Sequence, residues 1–578
     1  MFRITILLLF TFLSMNLSAE IKDVIWIENN PDTNESSDIL DVIIPGSGQS
    51  INVGDEEDTE LNKNPFPDKP EEKNSSPKAN SFNLNSYNKL ISPEGFTSYG
   101  QNEISYKQIN KDYNSRIPTM ALKDVVDEKC HPYHLNNRLN LITDDKDYIT
   151  ELRNFFKKCD RKLIRGNRNK YSNLIKTVYR KYKVLENENA QRFKLRFEND
   201  QTIEGFLALK PGKARPLVIV KCGVFCDGRS SSINNMLVAA LYDSGPFHIM
   251  MVANHTGPKN IRDNARVNFG GFMAGQELID IAKWAKKSSS FKDHINEVHV
   301  LGISLGGHSA LYSAIYNEHL DEKIIDSVMG FCPVVNLKDS VKDITTNGVM
   351  GVVVSHVVKD LIRDNFDNIP NLQNYFDDSR KVNRKTLAPL LTQVNTDYIQ
   401  SIDPNSFMEP YKGLIVEDAE HFAELGDFMA QAKKITTPIF VWASKNDPVV
   451  RNKYNSGPLE EAIPYPTANK NIQVLNVKKG SHCAVFESYD KNVTGTILNN
   501  FFIRHSKSLQ NKKRNLAAIN IEPPHLNTSE RFVTPRLLTF PNFDKLVFQY
   551  KIHRGPVYQK PFYAKDQDFK YYNVEIPF

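Results

Sequence analysis

The pentapeptide Gly302-Ile303-Ser304-Leu305-Gly306 sets a serine hydroxyl between two glycines, after the apolar run "EVHVLGI" and before the helix-capable "GHSALYSAIY". A serine in a strained strand-to-helix turn is lifted clear of a sheet, and glycines two residues to either side let helix and strand close in. Read blandly, the same residues make only a tight turn. An unaided hydroxyl is a weak nucleophile at neutral pH, so attack requires a base and an acid that orients it. His482, in "NIQVLNVKKGSHCAVFES", falls on the loop after the last apolar run. His308, His356 and His421 compete, but His308 sits on the helix after the serine and reads as packing, while the other two fall in a separate helical stretch. Asp447 ends the run "IFVWASKND" ahead of Pro448; an Asp-Pro turn is its plain alternative, and Asp339 and Asp343 are substitutes. The chain order Ser304, Asp447, His482 is the one a nucleophile on such a turn needs. The oxyanion formed on attack needs backbone donors. The N–H of Leu305 is one, and the loop after "PLVIVKCGVF" supplies the other at Val224, with Phe225 as second choice.

The elements that must position these residues follow from apolar patterning. "PLVIVKCG", "FHIMMVAN", "EVHVLGIS", "IIDSVMGFCP", "TPIFVWASKND" and "NIQVLNVKKGSH" are short, nearly continuous apolar runs, and helical stretches alternate with the first five. That is the pattern of a mostly parallel sheet with helices on both faces, whose site lies at the carboxyl ends of the strands. Before it, "RFKLRFENDQTIEGFLALK" alternates about Asn199-Asp200 as a hairpin. The chain therefore divides into a signal peptide (1–19), an acidic, largely disordered arm (20–125), a helical basic segment (126–185), a core in two parts (186–336 and 435–505), a helical lid (337–434) and a small β-rich appendage (506–578).

With these motifs in place, the core resembles the α/β-hydrolase fold superfamily. The resemblance implies an α/β fold and acyl transfer to water through an acyl-enzyme on Ser304, with His482 as base and then acid. Cys222-Gly223 stands where the family usually has His-Gly, a change that leaves a backbone donor in place. We expect a secreted or periplasmic serine hydrolase acting on carboxylic esters of small molecules or lipids, without cofactor or metal. A peptidase or acyltransferase on the same fold is the nearest alternative. A surface or binding protein with a relic core is the alternative of a different class.

Composition narrows the partners. Lys and Arg exceed Asp and Glu by only 73 to 68, which gives no ground for a nucleic-acid partner. Residues 20–76 hold 15 acidic and 4 basic residues, and residues 153–183 hold 12 basic and one acidic. The second block could meet an anionic surface peripherally. Arg3 followed by the apolar run Ile4–Leu13 reads as a cleavable leader, and no later segment is long and apolar enough to span a bilayer. Export would expose the six cysteines to an oxidising compartment. Cys130 and Cys159 are expected to pair; Cys222 and Cys226 either pair or stay as separate buried thiols. The remaining reading, a zinc site from Cys130, His131, His134 and Cys159, lacks the usual paired ligand spacing. Sequons such as Asn492-Val493-Thr494 matter only on a eukaryotic secretory path.

Overall fold

The alternating segment and the apolar runs become strands of one sheet. A computed structural model describes most of residues 130–510, together with strands at 40–44, 531–538, 545–553 and 569–577. The sheet contains β1 (Leu40–Ile44), β2 (Ala190–Phe197), β3 (Thr202–Ala208), β4 (Arg215–Lys221), β5 (His248–Val252), β6 (Ile295–Ile303), β7 (Ser327–Phe331), β8 (Ile439–Ser444) and β9 (Ile472–Val477). Its order is β1-β2-β3-β5-β4-β6-β7-β8-β9. β4 to β9 run parallel, while β3 is antiparallel to both β2 and β5. The path moves outward from β4 to β5, then returns past β4 to β6. This reversal opens a crevice at the carboxyl ends of β4 and β6, so the loop carrying Val224 and the turn carrying Ser304 meet there. The architecture is that of the α/β-hydrolase fold.

Strand residues alternate between two apolar layers. Leu217, Ile219, Val298, Val300 and Val441 face one layer. Val218, Val220, Leu301, Ile303 and Trp442 face the other. The helices are α1 (Pro132–Leu141), α2 (Asp145–Leu163), α3 (Lys170–Tyr179), α4 (Ser232–Ser244), α5 (Pro258–Asn264), α6 (Phe272–Lys283) and α7 (Leu305–Glu318). Then come α8 (Leu337–Thr346), α9 (Gly348–Asp364), α10 (Leu387–Gln400), α11 (Ala419–Leu425), α12 (Phe428–Gln431), α13 (Ser456–Ala462), α14 (Val485–Ser488) and α15 (Lys491–His505). α6 and α7 fill the first layer, and Gly275 permits their close approach: a Cβ there would lie 2.6 Å from Tyr312 Cβ. α4 and α15 fill the second, joined by Tyr148, Leu152, Phe155 and Phe156 of α2. The helical segment before the core thus covers one face of the sheet. Cys130 and Cys159 form a disulfide within it, with Cα atoms 5.5 Å apart.

Helices α8 to α12 lie between β7 and β8 and dock onto the first layer. Phe407 and Tyr411 of this insertion pack against Phe272, with ring centroids 5.4 and 5.0 Å away and Phe407 edge-on. Asn395 Oδ1 accepts from Phe269 N at 2.8 Å, and Tyr312 Oη donates to Leu425 O. Three antiparallel strands, β10 (Arg531–Leu538), β11 (Lys545–His553) and β12 (Phe569–Pro577), make a separate small sheet. Among the described residues no helix is long and apolar enough to cross a membrane. The expected signal peptide, the Asn199-Asp200 turn and the acidic arm apart from β1 lie outside the described residues.

Candidate active site

Ser304 occupies the turn between β6 and α7 at φ 55° and ψ −116°. Such a backbone costs a non-glycine residue on the order of 1–3 kcal/mol and persists only where its surroundings hold it. Here Ser304 N donates to Phe331 O at 3.0 Å, while Ser304 O accepts from His308 N and Val334 N at 3.3 and 3.2 Å. The flanking glycines are required by space. A Cβ on Gly302 would collide with Gly306 O and lie 2.6 Å from Ala310 Cβ, and one on Gly306 would collide with the carbonyl oxygens of Lys221 and Cys222.

The loops after β8 and β9 bring Asp447 and His482 to this turn. Asp447 Oδ1 accepts from Val449 N and Val450 N at 2.7 and 2.9 Å. Its Oδ2 lies 2.8 Å from His482 Nδ1, and His482 Nε2 lies 3.0 Å from Ser304 Oγ. The Asp-Pro turn and the orienting acid are therefore one side chain, with one oxygen for each task. Because the carboxylate can only accept, Nδ1 carries the proton and Nε2 is left to accept from the serine hydroxyl. All three residues are buried. The competitors go elsewhere. Asp343 pairs with Arg451 at 3.0 Å, His356 pairs with Asp360 at 3.4 Å, and His421 Nδ1 accepts from Glu417 N. Asp339, whose N–H donates to Asn336 Oδ1, belongs to the first turn of α8. His308 is fully buried with Nδ1 on Val334 O, and burial pushes its pKa down to about 4, which keeps it neutral.

The loop after β4 passes over Ser304: a Cβ on Gly223 would lie 3.5 Å from Ser304 Cβ. Cys222 and Cys226 close this loop with a disulfide, their Cα atoms 6.0 Å apart. Asn254 holds both ends, with its N–H donating to Cys226 O at 2.9 Å and Nδ2 donating to Cys222 O at 3.1 Å. Phe225, at φ 62°, donates its N–H to Thr256 Oγ1 at 2.8 Å, so it has no donor left for a substrate. Val224 remains the donor candidate opposite Leu305, whose N–H opens α7 without an intrahelical acceptor.

Two features of the surroundings carry no signal in the motifs. The first is a buried charge cluster beneath the β4 loop. Lys221 Nζ lies 3.3 Å from both oxygens of Glu277, and His255 Nε2 lies 2.7 Å from Oε2. Burial alone would push the Glu277 carboxyl up, but His255 and Lys221 overcome it and hold the pKa below the ordinary value. The second is the disulfide Cys332–Cys483, with Cα atoms 5.4 Å apart, beside His482. Position along the chain suggests only the Cys130–Cys159 and Cys222–Cys226 pairings, and an even count of six cysteines was the one signal that could have suggested this third pair. Cys332, His482 and Cys483 are the described residues whose donor atoms gather closely enough to hold a metal. Their sulfurs are joined to each other, however, and the thiolate is the ligand form.

No family model matches the chain, and no curated protein matches it. Among solved structures it is similar to Est1E from Butyrivibrio proteoclasticus, at 13% identity over 53% of this chain and 96% of that one, with a TM-score of 0.30. It is also similar to the Pyrococcus furiosus esterase Pf2001, at 12% identity over 55% and 93%, with a TM-score of 0.33. A third similar structure is the Pyrococcus horikoshii acylaminoacyl peptidase, at 12% identity over 55% and 41%, also with a TM-score of 0.33.

Proposed function

We propose that the chain is a serine hydrolase that cleaves carboxylic esters through an acyl-enzyme on Ser304. The observation that carries this reading is the pair of hydrogen bonds running from Asp447 through His482 to Ser304 Oγ. In the first half-reaction Oγ attacks the ester carbonyl carbon while its proton moves to His482 Nε2. Asp447 stabilises the imidazolium through Nδ1, and the N–H groups of Leu305 and Val224 receive the oxyanion. Collapse breaks the carbon–oxygen bond to the leaving alcohol, which takes the proton from Nε2. Water then attacks the acyl-enzyme with His482 as base, releasing the acid and restoring the serine. A relic core would have no need to keep Nε2 within hydrogen-bond reach of a strained serine.

A series of aryl esters of increasing acyl length, set beside the matching anilides, tests the reading. Turnover of the esters that disappears in Ser304→Ala is the expected result. Faster anilide cleavage would move the assignment to a peptidase, and ester turnover that survives Ser304→Ala would end it. We also propose that the protein works outside the cytoplasm, supported by the leader-like first 19 residues and by the three disulfides in which all six cysteines are paired. A mature N-terminus near residue 20 is expected; a cytosolic protein with its leader intact contradicts the proposal.

A further inference from the structure

His482 sits between two residues in the left-handed region, Ser481 at φ 51° and Cys483 at φ 50°, neither of them glycine. Side chains disfavour that backbone, so the loop needs external ties to keep it. On the upstream side the ties are hydrogen bonds. Gly480 N donates to Ser444 Oγ at 2.7 Å, Ser481 N to Asn446 Oδ1 at 2.9 Å, and Ser481 Oγ to Lys170 O at 2.6 Å. On the downstream side Cys483 is covalently joined to Cys332, which is itself held at φ 46° by its N–H donating to Trp442 O at 2.7 Å.

The place of Cys332 gives that bond its meaning. It lies between Phe331, whose carbonyl accepts from Ser304 N, and Val334, whose N–H donates to Ser304 O. The disulfide therefore closes a short circuit: from Ser304 across a backbone hydrogen bond to Phe331, along the chain to Cys332, through the sulfurs to Cys483, and back by way of His482 to Ser304 Oγ. Cys483 Sγ is 3.7 Å from His482 Nε2, against the nitrogen that must accept the serine proton. Without the bond, 151 residues of chain separate its two ends.

We infer that Cys332 and Cys483 are positioning residues whose disulfide fixes His482 Nε2 against Ser304 Oγ. This rests on the reading of Ser304 and His482 as nucleophile and base. Proton transfer falls steeply when donor and acceptor drift out of hydrogen-bond reach, so the bond should act on kcat with little effect on substrate affinity.

The test is the full-length double variant Cys332→Ser/Cys483→Ser, with Cys130→Ser/Cys159→Ser as control. For the first we expect kcat on a short aryl ester to fall by about 10–100-fold, with KM within about twofold. Fluorophosphonate labelling of Ser304 should slow in parallel. The control should lose thermal stability and keep its kcat at 25 °C. A folded Cys332→Ser/Cys483→Ser protein with wild-type kcat overturns the inference, whatever its melting temperature. If that variant does not fold, the wild type is titrated with a phosphine and the opened disulfides are mapped by mass spectrometry. Activity should fall in proportion to opening of Cys332–Cys483 with circular dichroism unchanged, and return on reoxidation. Full activity with that bond open overturns the inference. A wild type that neither turns over ester nor takes the label rejects the hydrolase reading itself, which separates the two failures.

Discussion

The turn at Ser304 and the loop at His482 present their side chains to each other across 3.0 Å, yet they are built in opposite ways. The turn is shaped mainly by its own neighbours, β6 before it, α7 after it, and glycines at 302 and 306 whose missing Cβ atoms make the crossing fit, and two backbone hydrogen bonds to Phe331 and Val334 hold it in place. The loop has no such local means. It holds two left-handed non-glycine residues by reaching to Ser444, Asn446, Lys170 and Cys332, which come from three other parts of the chain. The position of Ser304 thus follows largely from short-range sterics, while that of His482 depends on side chains and a disulfide from distant parts of the fold.

Removing the side chains that meet tests that comparison most severely. Ser304→Ala and His482→Ala should each lower kcat by up to about a millionfold, and the double variant should be no worse than either, because the groups act as a unit. Additive losses would show that the two act separately. Asp447→Asn keeps the shape but removes the acceptor that fixes the imidazole tautomer, and a loss of about ten-thousandfold is expected.

A smaller effect should come from the loop after β4, which like the His482 loop is tied from outside. Thr256→Val removes the acceptor of Phe225 N while keeping the side-chain volume. We expect kcat to fall by about tenfold with KM nearly unchanged, and Thr256→Ser to restore it. Equal loss in both variants would mean that Thr256 acts through packing.

A last effect is in stability rather than rate, and it falls on the frame of the serine turn. His299 on β6 and His308 on α7 are fully buried, and burial pushes their pKa values down to about 3 and about 4. His248 on β5 is likewise held at about 3, by burial and by Arg215 beside it. Above the ordinary histidine pKa these groups are neutral in both folded and unfolded chains. As pH falls below it, the unfolded chain takes up protons that the folded chain cannot. Stability should therefore drop by about 1.4 kcal/mol per pH unit for each histidine, from near pH 6.5 down towards pH 4. Chemical denaturation across that range measures the slope, and a flat profile would contradict the burial account.

The same division explains what could be read from the sequence. The parallel strands follow from apolar runs too continuous for a one-sided sheet, and the turn at Ser304 follows from glycine spacing, because both are written in neighbouring residues. Asp447 was legible for the same reason, standing at a strand end before proline. The Cys332–Cys483 bond was not, since nothing local marks two cysteines 151 residues apart as partners. Nor was the hold of Asn254 and Thr256 on the Cys222–Cys226 loop, which depends on β5 lying next to β4. Phe225 stood as second choice after Val224 as a donor, and nothing local marked the Thr256 partner that takes up its N–H.

The central claim is that Ser304 is a nucleophile activated by His482. Labelling the native protein with a fluorophosphonate and mapping the adduct by mass spectrometry tests it directly. The account predicts a single adduct on Ser304, lost on unfolding and strongly slowed in His482→Ala. A folded protein that stays unlabelled, or that carries the adduct on another serine, would contradict it.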